Sequence, residues 1–211
     1  MISAKGHIHS EPVFAIASAD KCNPVFPLLI ANDGFSEVGE EKRASATCFY
    51  GNVQLSFPTV GPGFHATLVC HCTDCRTVTA SMFATNFTVA FSHIKFVRGK
   101  SCLKQYAQAT TIATENTMSN SFCYNCGTLM YRASSGFPNL IYMRVGTVDN
   151  FALHETRLKP TIEIFCKDRV AWLEPIAGSR QAFGNPLTRR GSELEATMAM
   201  RTVSAIFGTA A

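Results

Sequence analysis

The sequence predicts a mainly β domain with few short helices, and three observations support that fold class. Short runs rich in Val, Ile, Phe, Tyr and Thr, separated by Gly, Pro, Asn and Ser, fill residues 46–175, a pattern typical of strands and turns. No long stretch in this region keeps a helical period. The chain has 211 residues, of which 46% are hydrophobic and 16% charged, so it can bury a sizeable core.

The strand-like runs are, in chain order, "ATCFYGNVQLSF", "SMFATNFTVAF", "IKFVRG" and "NLIYMRVGTV". They divide the chain into an N-terminal extension over residues 1–44, a β domain over 45–180 and a C-terminal tail over 181–211. The tail contains "GSELEATMAMRTVSAIF". This segment predicts one short amphipathic helix after Gly191, with Ser192 as its cap.

The charge and the N-terminal sequence restrict the partners and the compartment. The formal charge is +4 without a run of Lys and Arg, so we expect a small-molecule substrate rather than nucleic acid or a membrane. The first 22 residues contain no apolar segment followed by a small-residue cleavage site. We therefore expect a reducing, cytoplasmic compartment, in which clustered cysteines indicate metal binding or catalysis. The sequence predicts no particular oligomeric state.

Most of the nine cysteines fall into clusters whose spacing suits a metal ion. Cys70, Cys72 and Cys75 form C-x-C-x-x-C in "CHCTDC", and Cys123 and Cys126 form C-x-x-C in "FCYNCGT". Thiolates two or three residues apart can converge on one Zn²⁺ ion. Because a structural zinc site normally has four protein ligands, three local thiolates predict an open site with a position for water or substrate.

Spacing alone leaves two other arrangements open. One is a purely structural zinc ribbon, in which cysteines of "CHCTDC" pair with Cys123 and Cys126. The other is a redox C-x-x-C, which we disfavour because neither cysteine pair is predicted at a strand-to-helix junction of a βαβ unit, the setting that this chemistry prefers. His71 has candidate ligands on both sides, so we expect it to face solvent or form a hydrogen bond rather than bind the metal.

Taken in order, the motifs resemble those of the glutathione-dependent formaldehyde-activating enzyme family, which also includes centromere protein V. The family pattern runs C-x-C-G-x-V-x-F, C-H-C-x-x-C-R, F-C-x-x-C-G and G-x-L-D. This chain offers "CFYGNVQLSF", "CHCTDCR", "FCYNCGT" and "GTVDN", and "KPTIEIFCKDRVAWLE" is similar to the family's closing segment. The resemblance covers about residues 46–175 and implies a Mss4-like β domain with zinc knuckles and one or two zinc ions.

The resemblance also implies which side chains hold the zinc. The open site would use the three thiolates of C-x-C-x-x-C: Cys70, Cys72 and Cys75. The structural site would use three more distant cysteines: Cys48, Cys123 and Cys126. Tyr50 stands where the family has a further cysteine, and a neutral phenol is a poor zinc ligand. The structural site is therefore incomplete unless one of the remaining cysteines completes it: Cys22, Cys102 or Cys166. Otherwise these three are expected to fill the core.

The family chemistry implies a zinc-dependent enzyme of the carbon–sulfur lyase type, acting on a small thiol-bearing or electrophilic molecule such as a glutathione adduct or a secondary metabolite. Arg76 is a candidate to pair with a substrate carboxylate, and Asp149 to orient water or act as a base. Their structural alternatives are a surface arginine over the knuckle and a turn aspartate. The competing function is a non-enzymatic zinc module that binds a partner or chromatin. The acidic residues beside the few bases of the extension favour the enzyme.

Overall fold

The computed structural model describes residues 42–112 and 114–186. In chain order, the strands are β1 (Arg43–Thr47), β2 (Gln54–Pro58), β3 (Phe64–Cys70), β4 (Ala84–Ala90), β5 (Lys95–Arg98), β6 (Leu103–Gln108), β7 (Met118–Cys123), β8 (Leu129–Ser134), β9 (Leu140–Arg144), β10 (Ile162–Ile164) and β11 (Arg180–Gln181). The α-helices of these residues are α1 (Thr73–Thr79) and α2 (Ala152–Glu155). Short 3-10 turns cover Phe91–His93, Lys100–Cys102, Val145–Thr147 and Cys166–Asp168.

These strands form two sheets. The small sheet has the order β1-β2-β5, and the large sheet has the order β11-β10-β3-β4-β9-β8-β7-β6. Neighbouring strands are antiparallel except at one end of the large sheet, where β10 runs parallel to both β3 and β11. The parallel pairing places Ile164 beside Cys70. It therefore fixes the end of β3, where the first cysteine cluster begins.

The apolar core lies between the two sheets. Phe57 of β2 and Phe87 of β4 are fully buried, and their ring centroids are 4.6 Å apart. Val89 and Met143 on neighbouring strands of the large sheet join the same cluster. Because alternate residues of a strand point to opposite faces, this packing leaves the other face of the large sheet free for different side chains. That second face is polar and holds the site described below.

The prediction of a mainly β domain with few short helices is confirmed. The run "ATCFYGNVQLSF" contains most of the β1–β2 hairpin, and the other three runs contain β4, β5 and β9. The first strand begins at Arg43, inside the predicted extension. Most of that extension and the predicted C-terminal helix lie outside the described residues.

The first cysteine motif lies outside any parallel βαβ unit. The segment "CHCTDC" does stand at a strand-to-helix junction, since β3 ends at Cys70 and α1 begins at Thr73. The strand that follows α1, however, is antiparallel to β3, so the unit differs from the parallel βαβ arrangement that redox C-x-x-C motifs use. No helix in the described ranges is long and apolar enough to cross a bilayer.

Candidate functional site

The first triad, Cys70, Cys72 and Cys75, forms where the chain turns from β3 into α1. The three sulfurs lie within 4.8 Å of one another, and the Sγ atoms of Cys70 and Cys72 are 3.4 Å apart. Cys72 is the N-cap of α1, and its Sγ accepts a hydrogen bond of 3.4 Å from the backbone N–H of Cys75. The helix cap thus turns the second and third sulfurs toward the first.

The second triad joins parts of the chain that are distant in sequence. Cys48 follows β1, while Cys123 ends β7 and precedes Cys126 in a tight turn, and the three sulfurs again lie within 4.8 Å of one another. The backbone N–H of Val53 donates to Cys48 Sγ at 3.2 Å. Gly127 has a φ of +71°, the left-handed conformation that glycine adopts without strain. Gly127 therefore lets the chain turn tightly after Cys126.

The structure keeps the two triads separate. No cysteine of "CHCTDC" shares a group with Cys123 or Cys126, so the mixed zinc ribbon left open by the spacing is not formed. Among the described residues, neither Cys102 nor Cys166 belongs to either triad, and both are half-buried free thiols. Cys22 lies outside the described residues. Each triad thus has three thiol ligands from this part of the chain.

Two buried arginines distinguish the surroundings of the first triad. Arg132 of β8 and Arg144 of β9 are each 6% exposed, and Arg132 Nη1 donates to Cys75 Sγ at 3.3 Å. Arg144 Nη1 donates to Asn86 Oδ1 of β4. The cross-strand register places all three side chains on the polar face of the large sheet, because Arg132 pairs with Tyr142 and Arg144 pairs with Asn86.

The polar face contains donors and acceptors that lack partners within the described residues. They are Nε of Arg132, Nε and Nη2 of Arg144, Thr88 Oγ1 and Asn120 Oδ1. Asn120 and Thr88 lie opposite Arg132 and Tyr142 in the register, so they share the face of the arginines. Buried polar groups are nearly always hydrogen-bonded in native proteins. Several unpaired groups on one face therefore indicate a place that receives a polar ligand.

The arginines change the chemistry of the neighbouring sulfurs. Hydrogen bonds from Cys70 and Cys72 lower the pKa of the Cys75 thiol well below its usual range against the effect of burial, and the charges of Arg132 and Arg144 lower it further. The pKa of Cys70 is raised by its hydrogen bonds with the other two thiols and by burial. These shifts favour the thiolate form at Cys75 over that at Cys70.

The second triad has a different electrostatic setting. Burial raises the pKa of Cys48 to about 12, and the proximity of Cys126 and Cys123 adds to that rise. Burial opposes ionisation of Cys126 as well, but hydrogen bonds from Thr128 outweigh it and lower the pKa of this thiol. These pKa shifts arise from burial, neighbouring sulfurs, and hydroxyl and backbone groups.

Both triads fit a thiophilic metal ion. Sulfurs in a tetrahedral zinc site are about 3.8 Å apart, given a Zn–S distance of about 2.3 Å, and the spread within each triad is compatible with that separation. At the first triad, three thiolates and a divalent cation carry one net negative charge. Arg132 and Arg144 carry two positive charges beside it, so one net positive charge would remain for an anionic ligand to offset.

Arg76 lies on α1, one residue after the first triad, and is half-buried. Its Nη1 donates to the carbonyl oxygen of Asp168 at 3.5 Å, and its Nη2 lies 3.6 Å from Met82 Sδ. These contacts hold the side chain over the turn that carries the first triad. This is the structural role that the sequence analysis gave as the alternative to substrate binding. A role in binding a substrate carboxylate stays a prediction.

Asp149 lies near the small sheet and has no hydrogen bond to either triad. Its Oδ2 accepts hydrogen bonds from Ser45 Oγ at 2.5 Å, Thr47 Oγ1 at 2.7 Å and Gln54 Nε2 at 3.3 Å. Burial raises the pKa of this carboxyl group, and these hydrogen bonds partly oppose the rise. The contacts anchor the chain after β9 to the β1–β2 hairpin. A catalytic role for Asp149 remains a prediction that these contacts do not support.

His71 was expected either to face solvent or to form a hydrogen bond. It is fully buried and forms the hydrogen bond. Its Nε2 lies 2.9 Å from Glu163 Oε2 of β10, and that carboxylate is 1% exposed. Glu163 also accepts hydrogen bonds from four other groups: Arg169 Nη1, the Ile176 N–H, Ser179 Oγ and Gln181 Nε2. The pair fastens the loop between Cys70 and Cys72 to the parallel strand beside it.

Sequence reasoning missed Arg132, Arg144 and Glu163. Each lies in a short strand, within "LMYRAS", "LIYMR" or "IEI", and none belongs to a cysteine motif. Their signal was a charged residue inside an otherwise uncharged strand of a large sheet. Charged side chains are almost never fully buried unless they are paired, so each such residue indicates a buried partner.

The fold and the two sulfur triads define a β-sheet protein with two sites able to hold a metal ion. The family model described as "Glutathione-dependent formaldehyde-activating enzyme" matches residues 43–168, more than half of the chain, and the chain belongs to this enzyme family. No curated protein matches significantly. Three solved chains match. One is a crystal structure of a Rhodobacter sphaeroides protein with 24% identity and a TM-score of 0.39, covering 49% of this chain and 85% of that one.

Proposed function

We propose that the protein is a zinc-dependent enzyme of the carbon–sulfur lyase type, acting on the adduct of a small thiol and an electrophilic carbonyl compound. Cys70, Cys72 and Cys75 hold the zinc of the active site. Family membership supports an enzyme that uses a thiol such as glutathione, and the reduced cysteines of the described residues support a cytoplasmic location. Cys48, Cys123 and Cys126 hold a second zinc with a structural role.

The observation that carries this proposal is the pair of buried arginines beside one triad only. A zinc ion bound there supplies a Lewis acid with a coordination position for sulfur or oxygen. Arg132 balances the charge of the thiolates through its contact with Cys75. Arg144 offers Nε and Nη2, two donors without a partner, to an incoming anionic group. A purely structural zinc site has no use for buried donors of this kind.

The reaction balances without any redox partner. In the adduct-forming direction, the thiol sulfur bonds to the carbonyl carbon, and the thiol proton ends on the carbonyl oxygen. In the lyase direction, the same carbon–sulfur bond breaks and the proton returns to sulfur. The described residues contribute charge balance and orientation, since guanidinium groups remain protonated throughout. Arg76, at the edge of the triad, is a further candidate to orient the substrate.

The variant Cys72→Ser tests the proposal without removing the helix cap, because serine is also a favoured N-cap residue. We expect it to lose about one zinc per chain and its turnover of a thiol–formaldehyde adduct. Cys166→Ser is the matched control, since this half-buried cysteine lies outside both triads, and it should keep both. Unchanged metal content and turnover in Cys72→Ser would overturn the assignment. Loss of zinc from a protein that never turns over any adduct would favour the non-enzymatic module.

A further inference from the structure

A cavity of about 340 Å³ lies beside the first triad. Its lining includes Val78 of α1, Phe83 before β4, Leu129 of β8 and Arg144 at the end of β9. Ala84, which also lines it, packs against Cys70 and Cys75. Ala84 thus separates the cavity from the first triad by one side chain, and Gly127, the residue after Cys126, also lines it.

The charge of the cavity is positive. Arg144 is 6% exposed, and its Nε and Nη2 have no hydrogen-bond partner. No Asp or Glu residue is among the lining residues. An unpaired buried donor is costly, and the planar fork of a guanidinium group matches the two oxygens of a carboxylate. A ligand carboxylate at this position would satisfy both donors at once.

The remaining walls are small or apolar apart from two threonines, Thr79 and Thr85. Val78, Phe83 and Leu129 supply apolar surface, while Gly127 and Gly146 leave room at the rim. A Cβ atom built at either glycine meets no other atom within 4 Å. The volume is at the lower end of the range of about 300–1,000 Å³ for ligand cavities. These features suit a short aliphatic arm rather than a long polar one.

Resting on the proposed function, we propose that this cavity binds the carboxylate-bearing arm of a small thiol substrate or of its carbonyl adduct. The carboxylate lies against Arg144, two or three methylene groups lie against Val78 and Leu129, and the sulfur faces the first triad. The substrate class is a short mercaptocarboxylate.

Isothermal titration calorimetry of the zinc-loaded full chain tests the preference. We expect 3-mercaptopropionate to bind at least tenfold more tightly than the neutral 3-mercaptopropanol, and Arg144→Gln to abolish the difference. 2-Mercaptoethanesulfonate should bind more weakly than the carboxylate, because a tetrahedral anion does not match the planar fork. Equal affinity of the wild-type protein for the carboxylate and the alcohol would overturn the proposal, and equal or tighter binding of the sulfonate would overturn its restriction to carboxylates.

A second variant keeps the test decisive if Arg144→Gln does not fold. Gly146 has an ordinary φ and lines the cavity, so Gly146→Leu narrows it without backbone strain. Gly184→Leu is the matched control, because Gly184 also has an ordinary φ and open space but does not line the cavity. We expect at least tenfold weaker binding of 3-mercaptopropionate in Gly146→Leu and unchanged binding in Gly184→Leu. Wild-type affinity in Gly146→Leu would contradict the assignment of the cavity.

Butyrate, which has no thiol, separates this proposal from the one on which it rests. If the triad binds no zinc and butyrate still binds in a manner sensitive to Gly146→Leu, the cavity assignment stands and the proposed reaction fails. If both thiols bind to the zinc-loaded protein with equal affinity and butyrate does not bind, the triad assignment stands and the cavity assignment fails.

Discussion

The two cysteine triads have the same ligands and nearly the same spread of sulfurs, yet they lie in opposite kinds of surroundings. The first lies on the polar face of the large sheet, beside two buried arginines. The second lies at the edge of the apolar core, where Cys48 and Cys123 are fully buried. Three thiols alone therefore do not define a catalytic site, and the buried arginines are the reason we propose catalysis at the first triad.

The sharpest test of this difference is a pair of matched substitutions, Cys75→Ser and Cys123→Ser, both at buried cysteines. Cys75→Ser should lower kcat about a thousandfold, because a lost metal removes several kcal/mol of transition-state stabilisation. Cys123→Ser should instead lower Tm by about 6–12 °C, for roughly 3 kcal/mol of stability, and leave kcat of the folded protein within about threefold. Steady-state kinetics and thermal unfolding measure both. A similar loss of activity in the two variants would remove the distinction.

The arginine beside the first triad provides the next test. Arg132→Lys keeps the charge but replaces the planar fork that reaches Cys75, so we expect metal affinity or turnover to fall about 10–100-fold, as for other partners of metal ligands. Arg98→Lys, in the small sheet near the hairpin turn, is the control and should change neither quantity by more than about twofold. Competition with a chelator of known zinc affinity gives the metal affinity. If Arg132→Lys kept the metal affinity and turnover of the wild type, a positive charge at this position would be sufficient for both, without the planar guanidinium group.

The buried carboxylate of Glu163, which contacts His71 next to the first triad, predicts a pH dependence of the free energy of unfolding. Burial raises the pKa of Glu163, but hydrogen bonds from Gln181, His71, the Ile176 N–H and Ser179 outweigh it and lower the pKa to about 2. A carboxylate with a lowered folded-state pKa contributes stability above its unfolded pKa near 4.5, and this contribution is lost as the pH falls from 4.5 to 2.

Glu163→Gln should therefore cost about 3 kcal/mol at neutral pH and make the loss of stability between pH 4.5 and 2 shallower. Urea unfolding at several pH values measures both effects. Glu174→Gln, an exposed position, is the control and should follow the wild-type pH curve. If the free energy of unfolding of Glu163→Gln and of the wild type changed with pH in the same way, the hydrogen-bonded Glu163 carboxylate would not be the cause of the acid sensitivity.

The smallest expected effect concerns the second triad. Tyr50 is half-buried and packs against the core cluster that contains Cys48 and Cys123. Tyr50→Cys restores the thiol that the family pattern has at this position, and we expect the second site to retain zinc at about tenfold lower free zinc, with a gain of about 1.4 kcal/mol in stability. Tyr50→Ser, which removes the ring without adding a ligand, should show neither gain. Equal zinc retention in the two variants would mean that the fourth position is already closed.

The sequence predicted the fold class and the first cysteine group from local patterns, whereas the grouping of Cys48 with Cys123 and Cys126 was implied by the resemblance to the family. Runs of β-branched and aromatic residues predict strands whatever their partners, and C-x-x-C spacing limits where sulfurs can go. The partners of the sulfurs could not be predicted in the same way. Arg132 reaches Cys75, and Arg144 reaches Asn86, only through the register of the strands in the large sheet, and register is a property of the assembled sheet.

The hydrogen-bond partners of Asp149 could not be predicted from the sequence either. Its position after β9 in "GTVDN" matched a family motif, but the β1–β2 hairpin surrounds its carboxylate with hydroxyl and amide donors. Nothing in the neighbouring residues along the chain indicated that Ser45 and Thr47, about a hundred positions earlier, would be its partners. Long-range contacts of this kind decide whether an acid is structural or reactive.

The spacing of the triads along the chain has a consequence for biosynthesis. All three sulfurs of "CHCTDC" leave the ribosome almost together, so this segment can capture a metal before the large sheet is complete. Cys48 must wait for Cys123, 75 positions later, which takes roughly 4–15 s at translation rates of about 5–20 residues per second. A metal at the second triad then closes a long loop and acts as a cross-link on the newly made chain. Zinc scarcity during synthesis should therefore impair maturation at the second triad before it impairs loading at the first.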